Sequence, residues 1–151
     1  RNFCMRALRS LRLEKNCCSW VREFRPSDGP YEADLGRFVK LTKNRFIGQD
    51  AARTEFNEGL QKRRVAFEVA ASDADVMGDE PVWHDGKVIG WITSGGYAHW
   101  VEKSLAQGYI PAELAGETGA GAFEIEILGE MCKATILPDP PFDPKAERMR
   151  M

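Results

Sequence analysis

The sequence contains no apolar run near the roughly 20 residues that a helix needs to span a bilayer. Its four cysteines form no C-x-x-C pair and are accompanied by only two histidines, which is too few for a zinc-type site. It also lacks a G-x-G-x-x-G dinucleotide motif and a G-x-S-x-G nucleophile elbow. We therefore expect no membrane partner and no metal for this chain, and a reduced, intracellular setting for its thiols.

Charge is unevenly distributed along the chain. The 151 residues carry a net charge of −2, but residues 1–26 contain seven Lys or Arg and only two Glu. This basic segment is either a solvated surface of a larger protein, the interpretation we favour, or a site for a phosphate, a carboxylate or nucleic acid. No repeat of aromatic and basic residues supports nucleic acid, so we expect no such partner. Because the chain begins at Arg1 rather than Met, we expect it to be part of a longer polypeptide.

Glycines, aromatic residues and both histidines concentrate between residues 78 and 111. Asp85-Gly86 separates two apolar-rich runs, and this pair favours a two-residue β-turn with positive φ at both positions. Ser94-Gly95-Gly96 predicts the end of the second strand, at a place where the backbone bends or is closely approached. The whole stretch is typical of a small antiparallel barrel or sandwich.

Two helices are predicted ahead of most of the strands. Residues 2–15 have helical periodicity, and residues 16–36, which contain prolines and glycines, predict a loop. A second helix, capped by Gln49 or Asp50, is predicted to end in the cationic run 61–64, which suits the negative end of a helix dipole. The apolar positions of the two helices are Phe3, Ala7, Leu8 and Leu11 in the first, and Ala52, Phe56 and Leu60 in the second.

Short alternating runs dominate the rest of the chain. Val65, Phe67 and Val69 share one face of a strand, and the run 123–127 alternates apolar residues with glutamates, so one of its faces is wet. The predicted fold class is mainly β (α+β overall), a small antiparallel β-barrel of about six strands preceded by a connector helix. The corresponding division is an N-terminal part at 1–46, the connector helix at 47–64 and the barrel domain at 65–151.

Eight short motifs occur along almost the whole chain in the order of one known family. They are LRLEK (11–15), Trp20, P-x-E-A (30–33), FIGQDA (46–51), GDEPVW (78–83), TSGGY (93–97), KSLAQGYIP (103–111) and PPFDP (140–144). The chain thereby resembles the C-terminal part of the glycine-cleavage T-protein (aminomethyltransferase) superfamily, especially the folate-binding region of dimethylglycine and sarcosine dehydrogenases. One motif alone is a weak signal, but eight in order are not expected by chance.

The resemblance implies a modular parent enzyme. A FAD-containing amine oxidase domain upstream makes an iminium from an N-methyl amine, and the T-protein-like part passes the one-carbon unit to tetrahydrofolate. That part is a three-lobed cloverleaf whose last lobe is a small barrel, so residues 1–46 are expected to be the tail of a folate-binding lobe. The implied partners are the upstream lobes of the same polypeptide, the N-methyl amine and folate. The implied location is the bacterial cytoplasm or the mitochondrial matrix.

No catalytic residue is expected in this chain, because the family's catalytic aspartate and key folate-binding glutamate fall upstream of it. The fragment alone is therefore predicted to be inactive. The folate-binding residues that the resemblance implies are Arg12, Trp20, Glu14 and Arg148. Arg12 either offers a rigid fork of donors to a planar acceptor of folate, the role that we favour, or is an ordinary solvated or structural arginine. Glu14 is expected to orient Arg12 by charge pairing. Trp20 either stacks on folate or packs in the core, and Arg148 or Arg150 either returns to the ligand or lies on the surface.

Two patterns look catalytic without carrying a complete site. Ser94 lies in T-S-G-G rather than in a nucleophile elbow, and neither His84 nor His99 is marked as its base, so Ser94 is predicted to serve a barrel corner. His99 and Tyr97 either face the folate cavity or pack against the protein.

Departures from the family pattern keep rival functions open. Cys17-Cys18, the VREF run at 21–24 and Asp34 stand where the family has other residues, so the resemblance does not define the course of residues 16–36. The alternatives are a non-catalytic barrel that acts as an interaction or regulatory module, and a related folate-dependent methyltransferase or demethylase.

Overall fold

Six β-strands close into one antiparallel barrel in the computed structural model of the chain, which describes residues 3–119, 121–148 and 150. The strands are β1 (Lys62–Val69), β2 (Pro81–His84), β3 (Lys87–Ala98), β4 (Lys103–Pro111), β5 (Phe123–Ile127) and β6 (Glu130–Ile136). Around the barrel they follow the order β1-β4-β3-β2-β5-β6, and every neighbouring pair is antiparallel. The predicted mainly β fold with a six-stranded barrel is thus confirmed.

Branched and aromatic side chains that alternate along the strands fill the barrel interior. On β5, Phe123, Ile125 and Ile127 are buried, while the two glutamates between them are partly exposed, as the alternation predicts. Phe67 of β1 packs edge to face on Phe123, with ring centroids 5.7 Å apart. Because the sheet closes around this core, every strand is paired on both sides over at least part of its length.

The Asp85-Gly86 turn joins β2 to β3 as predicted. Both residues have positive φ, 49° and 72°, and the flanking residues His84 and Lys87 face each other in the ladder. A two-residue turn of this kind has the same twist as the strands beside it. The turn therefore sets the register of the nearest pairs, and a β-bulge between Val82 and Trp83 shifts the pairing further along the hairpin.

The prediction that Ser94-Gly95-Gly96 ends the second strand is wrong. β3 continues through these residues, with a β-bulge between Ile92 and Ser94. The predicted close approach is present, because a Cβ on Gly95 would lie 2.6 Å from the Cβ of Val76. Glycine thus allows a neighbouring loop to pack onto an uninterrupted strand.

Helix α1 (Met5–Glu14) lies outside the barrel, against β3 and β4. Ser10 and Leu13 are buried on its barrel side, and Leu13 packs against apolar residues of both strands. Leu8 and Leu11, which belong to the predicted apolar face, are exposed instead. The helix therefore docks by a partly polar edge and keeps apolar side chains at the surface.

Helix α2 (Gln49–Glu58) is shorter than predicted. It stops at Gly59, whose φ of 88° is in the left-handed region that glycine adopts readily. The cations expected at its end, at 62–64, begin β1 instead. Gly48 is the N-cap residue, and the Gln49 side chain donates to carbonyls of the preceding loop rather than capping the helix. The three-part division of the chain stays a prediction.

The remaining described segments are loops and single turns. Short 3₁₀ helices occur at Gly36–Phe38 and Ala112–Leu114. The segment 16–35 contains no α-helix or β-strand, as the sequence predicts. Both α-helices have ten residues. In the part of the chain that the structure describes, no helix is long and apolar enough to cross a bilayer.

The four cysteines are free thiols, of which Cys4 and Cys17 are exposed. Burial raises the pKa of Cys18 to about 11. Because the thiolate is the reactive form of cysteine, this thiol is expected to be inert near neutral pH.

Gly90→Ala is expected to destabilise the barrel. A Cβ at this position of β3 would lie 2.1 Å from the backbone carbonyl oxygen of Tyr109, which the ladder holds in place. Overpacking of this kind costs about 1–3 kcal/mol of unfolding free energy, which a urea unfolding curve measures. Gly116→Ala is the matched control, because its Cβ would meet no atom within 4 Å. Equal midpoints for the two variants would contradict the prediction.

Candidate functional site

An arginine-lined cleft opens between α1 and the loop that follows it, against the bulge of β3. The volume of the cavity is about 290 Å³. Its lining residues are Met5, Arg6, Leu8, Arg9, Arg12, Ser19, Arg22 and Ser94. Half of these residues are arginines, so the cleft gathers much of the positive charge of residues 1–26 at one place.

Arg12 forms part of the cleft wall and is held by four acceptors. Its Nη1 donates to Glu23 Oε2 at 3.2 Å, to Gln107 Oε1 at 3.3 Å and to the Cys17 carbonyl at 3.1 Å. Its Nη2 donates to Ser94 Oγ at 2.6 Å. Only 15% of the Arg12 side chain remains exposed. The structure thus brings the predicted residue to the cleft, with both terminal nitrogens engaged by the protein.

Glu23 is the carboxylate partner of Arg12, and its side chain is fully buried. Its Oε2 accepts the Ser19 backbone N–H at 2.6 Å as well as Arg12. Its Oε1 accepts the hydroxyls of Thr93, at 2.9 Å, and Ser94. A carboxylate is tolerated inside a protein when it is paired and hydrogen-bonded. These four donors meet that condition.

The β-bulge places two hydroxyls on the same side of β3. In a regular strand, Thr93 and Ser94 would point to opposite faces. The bulge sets an extra residue on β3 against its partner strand β4. Thr93 and Ser94 therefore both reach Glu23, which a regular strand would not allow.

The hydrogen-bond network continues to β1 and β4 through Asn16. This residue follows α1 with a φ of 54°, a left-handed conformation that asparagine tolerates at helix ends. Its Oδ1 accepts from Gln107 Nε2 and from Arg64 Nη1, both at 2.9 Å. Because Gln107 also accepts from Arg12, one chain of hydrogen bonds joins the end of α1 to the outer face of the barrel.

Arg9 and Arg22 carry charge that this network does not neutralise. Arg9 donates to the Met77 carbonyl, and its pKa is lowered by burial and then by repulsion from Arg12 and Arg22. The Nη1 of Arg22 lies 3.0 Å from the position that a Cβ of Gly78 would take. Among the described residues, neither Arg9 nor Arg22 forms an ion pair with a carboxylate.

Trp20 lies next to the cleft and is 78% exposed. Its ring meets Phe24 at an angle, with centroids 6.4 Å apart, and its chain neighbour Ser19 lines the cleft. The alternative that Trp20 packs in the core is therefore wrong. Its other predicted role, stacking on a ligand, stays a prediction.

The predicted charge pairing of Glu14 with Arg12 is wrong. Residues two apart on a helix do not face each other, and Glu14 turns toward the barrel instead. Its Oε1 accepts the Trp100 backbone N–H at 2.8 Å, which fastens the turn between β3 and β4 to α1. The folate role of Glu14 stays a prediction.

Arg148 packs near the other end of α1. Its guanidinium lies 5.3 Å from the centroid of the Phe142 ring, and the Phe142 N–H donates to the Glu14 carbonyl at 3.0 Å. An ion pair of 2.9 Å between Lys15 and Asp143 fastens the same tail. Arg148 is not among the residues that line the cleft, and its folate role stays a prediction.

Neither histidine is placed as a base for Ser94. His84 Nε2 lies 3.0 Å from Glu117 Oε2, and the ring of His99 packs edge to face on Tyr97 with centroids 5.1 Å apart. A serine nucleophile needs a base within hydrogen-bond reach, so the geometry does not support nucleophilic catalysis at Ser94. Within the described residues, no group of three or more His, Cys, Asp or Glu is arranged to hold a metal ion.

A second cluster fastens the loop after α1 to the barrel. Trp91 and Tyr109 stack with centroids 5.9 Å apart, and the cations of Arg25 and Lys62 lie within 6 Å of both ring centroids. Asp28 accepts from Arg25 Nε at 3.0 Å and from Lys62 Nζ at 2.7 Å. Burial acts to raise the pKa of Asp28, but the hydrogen bonds from the two cations outweigh it and hold the pKa below its ordinary value.

The site residues predicted from the sequence did not include Glu23, Gln107, Arg9 or Arg22. Glu23 carried a signal, because it is one of only two acidic residues in the basic segment 1–26. Gln107 carried no local signal, since it lies 95 residues from Arg12 in the chain and meets it only through the packing of α1 on β4.

Glu23→Ala is expected to lower the unfolding free energy by about 3–5 kcal/mol, because it leaves a buried arginine without its counterion. Urea unfolding measures the loss. Glu58→Ala is the control, because Glu58 is exposed on α2 and a surface change of this kind stays within about 0.5 kcal/mol. A similar small effect for both variants would show that the buried carboxylate contributes little.

Acid is expected to weaken the contacts of Asp28. Because its folded pKa lies below that of the unfolded chain, its stabilisation is complete above about pH 4 and is lost as the pH falls through the lower folded value. Asp28→Asn should therefore unfold at a lower temperature than the wild type at pH 7, and the difference should shrink in acid. Thermal unfolding across this range tests it, with Asp73→Asn, an exposed position, as the control. A difference that does not vary with pH would contradict the assignment.

The chain matches one family, described as the glycine cleavage T-protein C-terminal barrel domain, over residues 62–143. This range contains all six strands and covers more than half of the chain.

Curated relatives are similar over a longer stretch. Mouse mitochondrial dimethylglycine dehydrogenase is 44% identical over 135 residues, which are 89% of this chain and 15% of that protein. Human mitochondrial sarcosine dehydrogenase is 30% identical, with 96% of this chain and 16% of that protein covered. An aminomethyltransferase of Desulfitobacterium hafniense is 36% identical over 131 residues, 85% of this chain and 34% of that protein. The chain therefore spans a small part of the dehydrogenases and about a third of the aminomethyltransferase.

A solved structure has the same fold. The glycine cleavage system aminomethyltransferase T from Bartonella henselae superposes with a TM-score of 0.81 over 91% of this chain and 38% of that one, at 24% identity. At that identity the likeness shows the fold alone, but the family match extends over more than half of the residues. The chain belongs to the glycine cleavage T-protein C-terminal barrel domain family.

Proposed function

We propose that this chain is the C-terminal part of a folate-dependent one-carbon-transfer enzyme of the dimethylglycine or sarcosine dehydrogenase kind. The observation that carries the proposal is the arginine-lined cleft, which lies on the segment before the barrel. The similarity to dimethylglycine dehydrogenase covers 89% of the chain and so reaches well beyond residues 62–143. Both the barrel and at least part of the segment in front of it therefore belong to the region shared with these enzymes.

Tetrahydrofolate fits the chemistry of the cleft and its surroundings. Several guanidiniums offer planar forks of donors to carboxylates, and the exposed ring of Trp20 offers a stacking surface for an aromatic system. When bound, tetrahydrofolate accepts the one-carbon unit. The residues of this chain would hold and orient it, with Arg12 in the wall and Trp20 at the rim, while contacts from Glu14 and Arg148 remain part of the proposal.

The cleft is one side of a larger site in this proposal. Leu8, Leu11 and Trp20 are exposed around it, and apolar surface of this kind near a charged pocket suits an interface with another part of the protein. The upstream lobes of the same polypeptide are the occupant that we propose, since the relatives are about three to seven times longer than the match. The residues that perform the chemistry and the FAD site would lie in those upstream parts.

The location follows from the same comparison. The dehydrogenase relatives are mitochondrial by name, and the aminomethyltransferase relative is bacterial. We propose the mitochondrial matrix or the bacterial cytoplasm for the protein that contains this chain.

The exposed apolar side of α1 also favours a second candidate function. Met5, Leu8 and Leu11 leave an apolar stripe on a helix that the barrel does not cover. A barrel with such a stripe acts equally well as a non-catalytic module that binds a partner or regulates it. Folate binding by the longer protein separates the two functions.

Binding of tetrahydrofolate is expected only in a chain extended upstream through the remaining lobes. Residues 1–151 alone should show no binding and no methylene-tetrahydrofolate formation, because the cleft is open on the side that the lobes would cover. Titration calorimetry on both chains measures the difference. In the extended chain, Arg12→Ala should weaken binding about tenfold or more, because the cleft wall loses the side chain that joins α1 to Glu23, Ser94 and Gln107.

Two results would contradict the proposal. Formation of methylene-tetrahydrofolate by residues 1–151 alone would show that the site is complete without the upstream lobes. If neither chain binds tetrahydrofolate, the proposed folate function is wrong and the interaction module is favoured.

A further inference from the structure

The positive charge of the cleft is only partly compensated by the protein. Two carboxylates attract the charge of Arg9, those of Glu23 and Glu80. Glu23 is used by Arg12 and three further donors. Glu80 accepts the backbone N–H groups of Met77 and Gly78, at 2.7 and 2.8 Å. Four guanidiniums therefore line the cavity, and among the described residues Arg12 alone of the four forms an ion pair with a carboxylate.

Arg12 has little capacity left for a ligand. Both of its terminal nitrogens donate to protein acceptors, and its charge is balanced by Glu23. Its position depends on Ser94 and Gln107 of the barrel. Arg12 is therefore better suited to positioning the cleft than to holding an external anion.

Arg9 and Arg22, unlike Arg12, keep hydrogen-bond donors and charge for a ligand. Arg9 lies in the wall of the cleft, where its only hydrogen bond found among the described residues goes to a neutral carbonyl, that of Met77. Arg22 is exposed and lies against Gly78 on the same side. Burial, and then repulsion from Arg12 and Arg22, lowers the pKa of Arg9. An anion bound between the guanidiniums relieves the repulsion.

The size of the cavity limits what this anion is. A volume of about 290 Å³ is at the lower limit of pockets that enclose a drug-sized ligand, so the cavity suits one end of a ligand. Met5 and Leu8 add an apolar wall beside the arginines. A planar carboxylate carried on an apolar or aromatic body fits both features, because guanidinium groups bind carboxylates through paired hydrogen bonds.

We propose that Arg9 and Arg22 are the ligand-contacting cations of the cleft and bind a carboxylate of the ligand, with Arg12 and Glu23 as positioning residues. This inference rests on the proposed function. The carboxylate has two possible sources with one chemistry, the glutamyl end of tetrahydrofolate or the carboxylate of an N-methyl amino acid substrate.

The test uses the full-length protein that contains this chain. Arg9→Gln and Arg22→Gln keep polar side chains but remove the charge, and Arg53→Gln, exposed on α2, is the matched control. The probes are tetrahydrofolate, tetrahydropteroate, which lacks the glutamyl carboxylates, and N,N-dimethylglycine. Calorimetry gives the affinity for the two pterins, and steady-state kinetics gives KM and kcat for the amine.

We expect each cleft variant to bind one of the carboxylate ligands about tenfold or more weakly than the wild type. The unfolding temperatures of the cleft variants should be near that of Arg53→Gln. If the affinity for tetrahydrofolate falls while the affinity for tetrahydropteroate is unchanged, the glutamyl end of folate supplies the carboxylate. If KM for dimethylglycine rises with kcat unchanged, the substrate carboxylate is the source. In either case, the affected interaction should depend less steeply on salt than in the wild type, because an attraction that salt screens has been removed.

Unchanged affinities and KM in both cleft variants, in a wild-type protein that binds tetrahydrofolate, would overturn this assignment and leave the proposed function standing. If Arg9→Gln fails to fold, Arg22→Gln decides alone, since Arg22 is exposed. A wild-type protein that binds neither pterin would overturn the proposed function and this inference with it.

Discussion

The buried carboxylate of Glu23 is the interaction on which the arrangement of the N-terminal segment depends. Removing a carboxylate from water is costly, and it is tolerated only where several donors surround it. Here, those donors come from three places, the helix α1, the loop that follows it and the bulged strand β3. The carboxylate therefore joins α1, its loop and β3 at one point, and its surroundings decide which cations remain free to face a ligand.

The barrel and its outer layer are stabilised by different physics. Inside the barrel, branched and aromatic side chains remove apolar surface from water without directional constraints. Outside, Leu13 of α1 packs on β3 and β4, while the contacts around the cleft are polar and directional, running through Arg12, Gln107 and Asn16. Directional contacts give a defined shape to the cleft. The same polarity leaves the apolar side chains of α1 at the surface, which suits an additional layer of protein over it.

Much of the fold was predictable because its signals are local. Alternation in the run 123–127 predicts a half-buried strand, and Asp85-Gly86 predicts its tight turn, each from a few neighbouring residues. The predictions failed where a contact with a distant part of the chain overrides the local preference. The cations at 62–64 suit a helix end, but pairing with β4 draws them into β1. The site was harder, because Arg12 was recognised within its motif while its partners lie up to 95 residues away.

The sequence by itself determined the barrel, the family resemblance and the concentration of positive charge at the N-terminal end, since periodicity, turn residues and composition are properties of short stretches. Only the tertiary structure decided which of these arginines are paired within the protein and which are left to face a ligand. The bulge in β3 turns Thr93 and Ser94 together onto Glu23, and Glu23 forms an ion pair with Arg12 but not with Arg9. A hydrogen bond weakens steeply when its distance and angle depart from the preferred range. Which arginine is paired therefore depends on the strand register, which no local pattern in the sequence encodes.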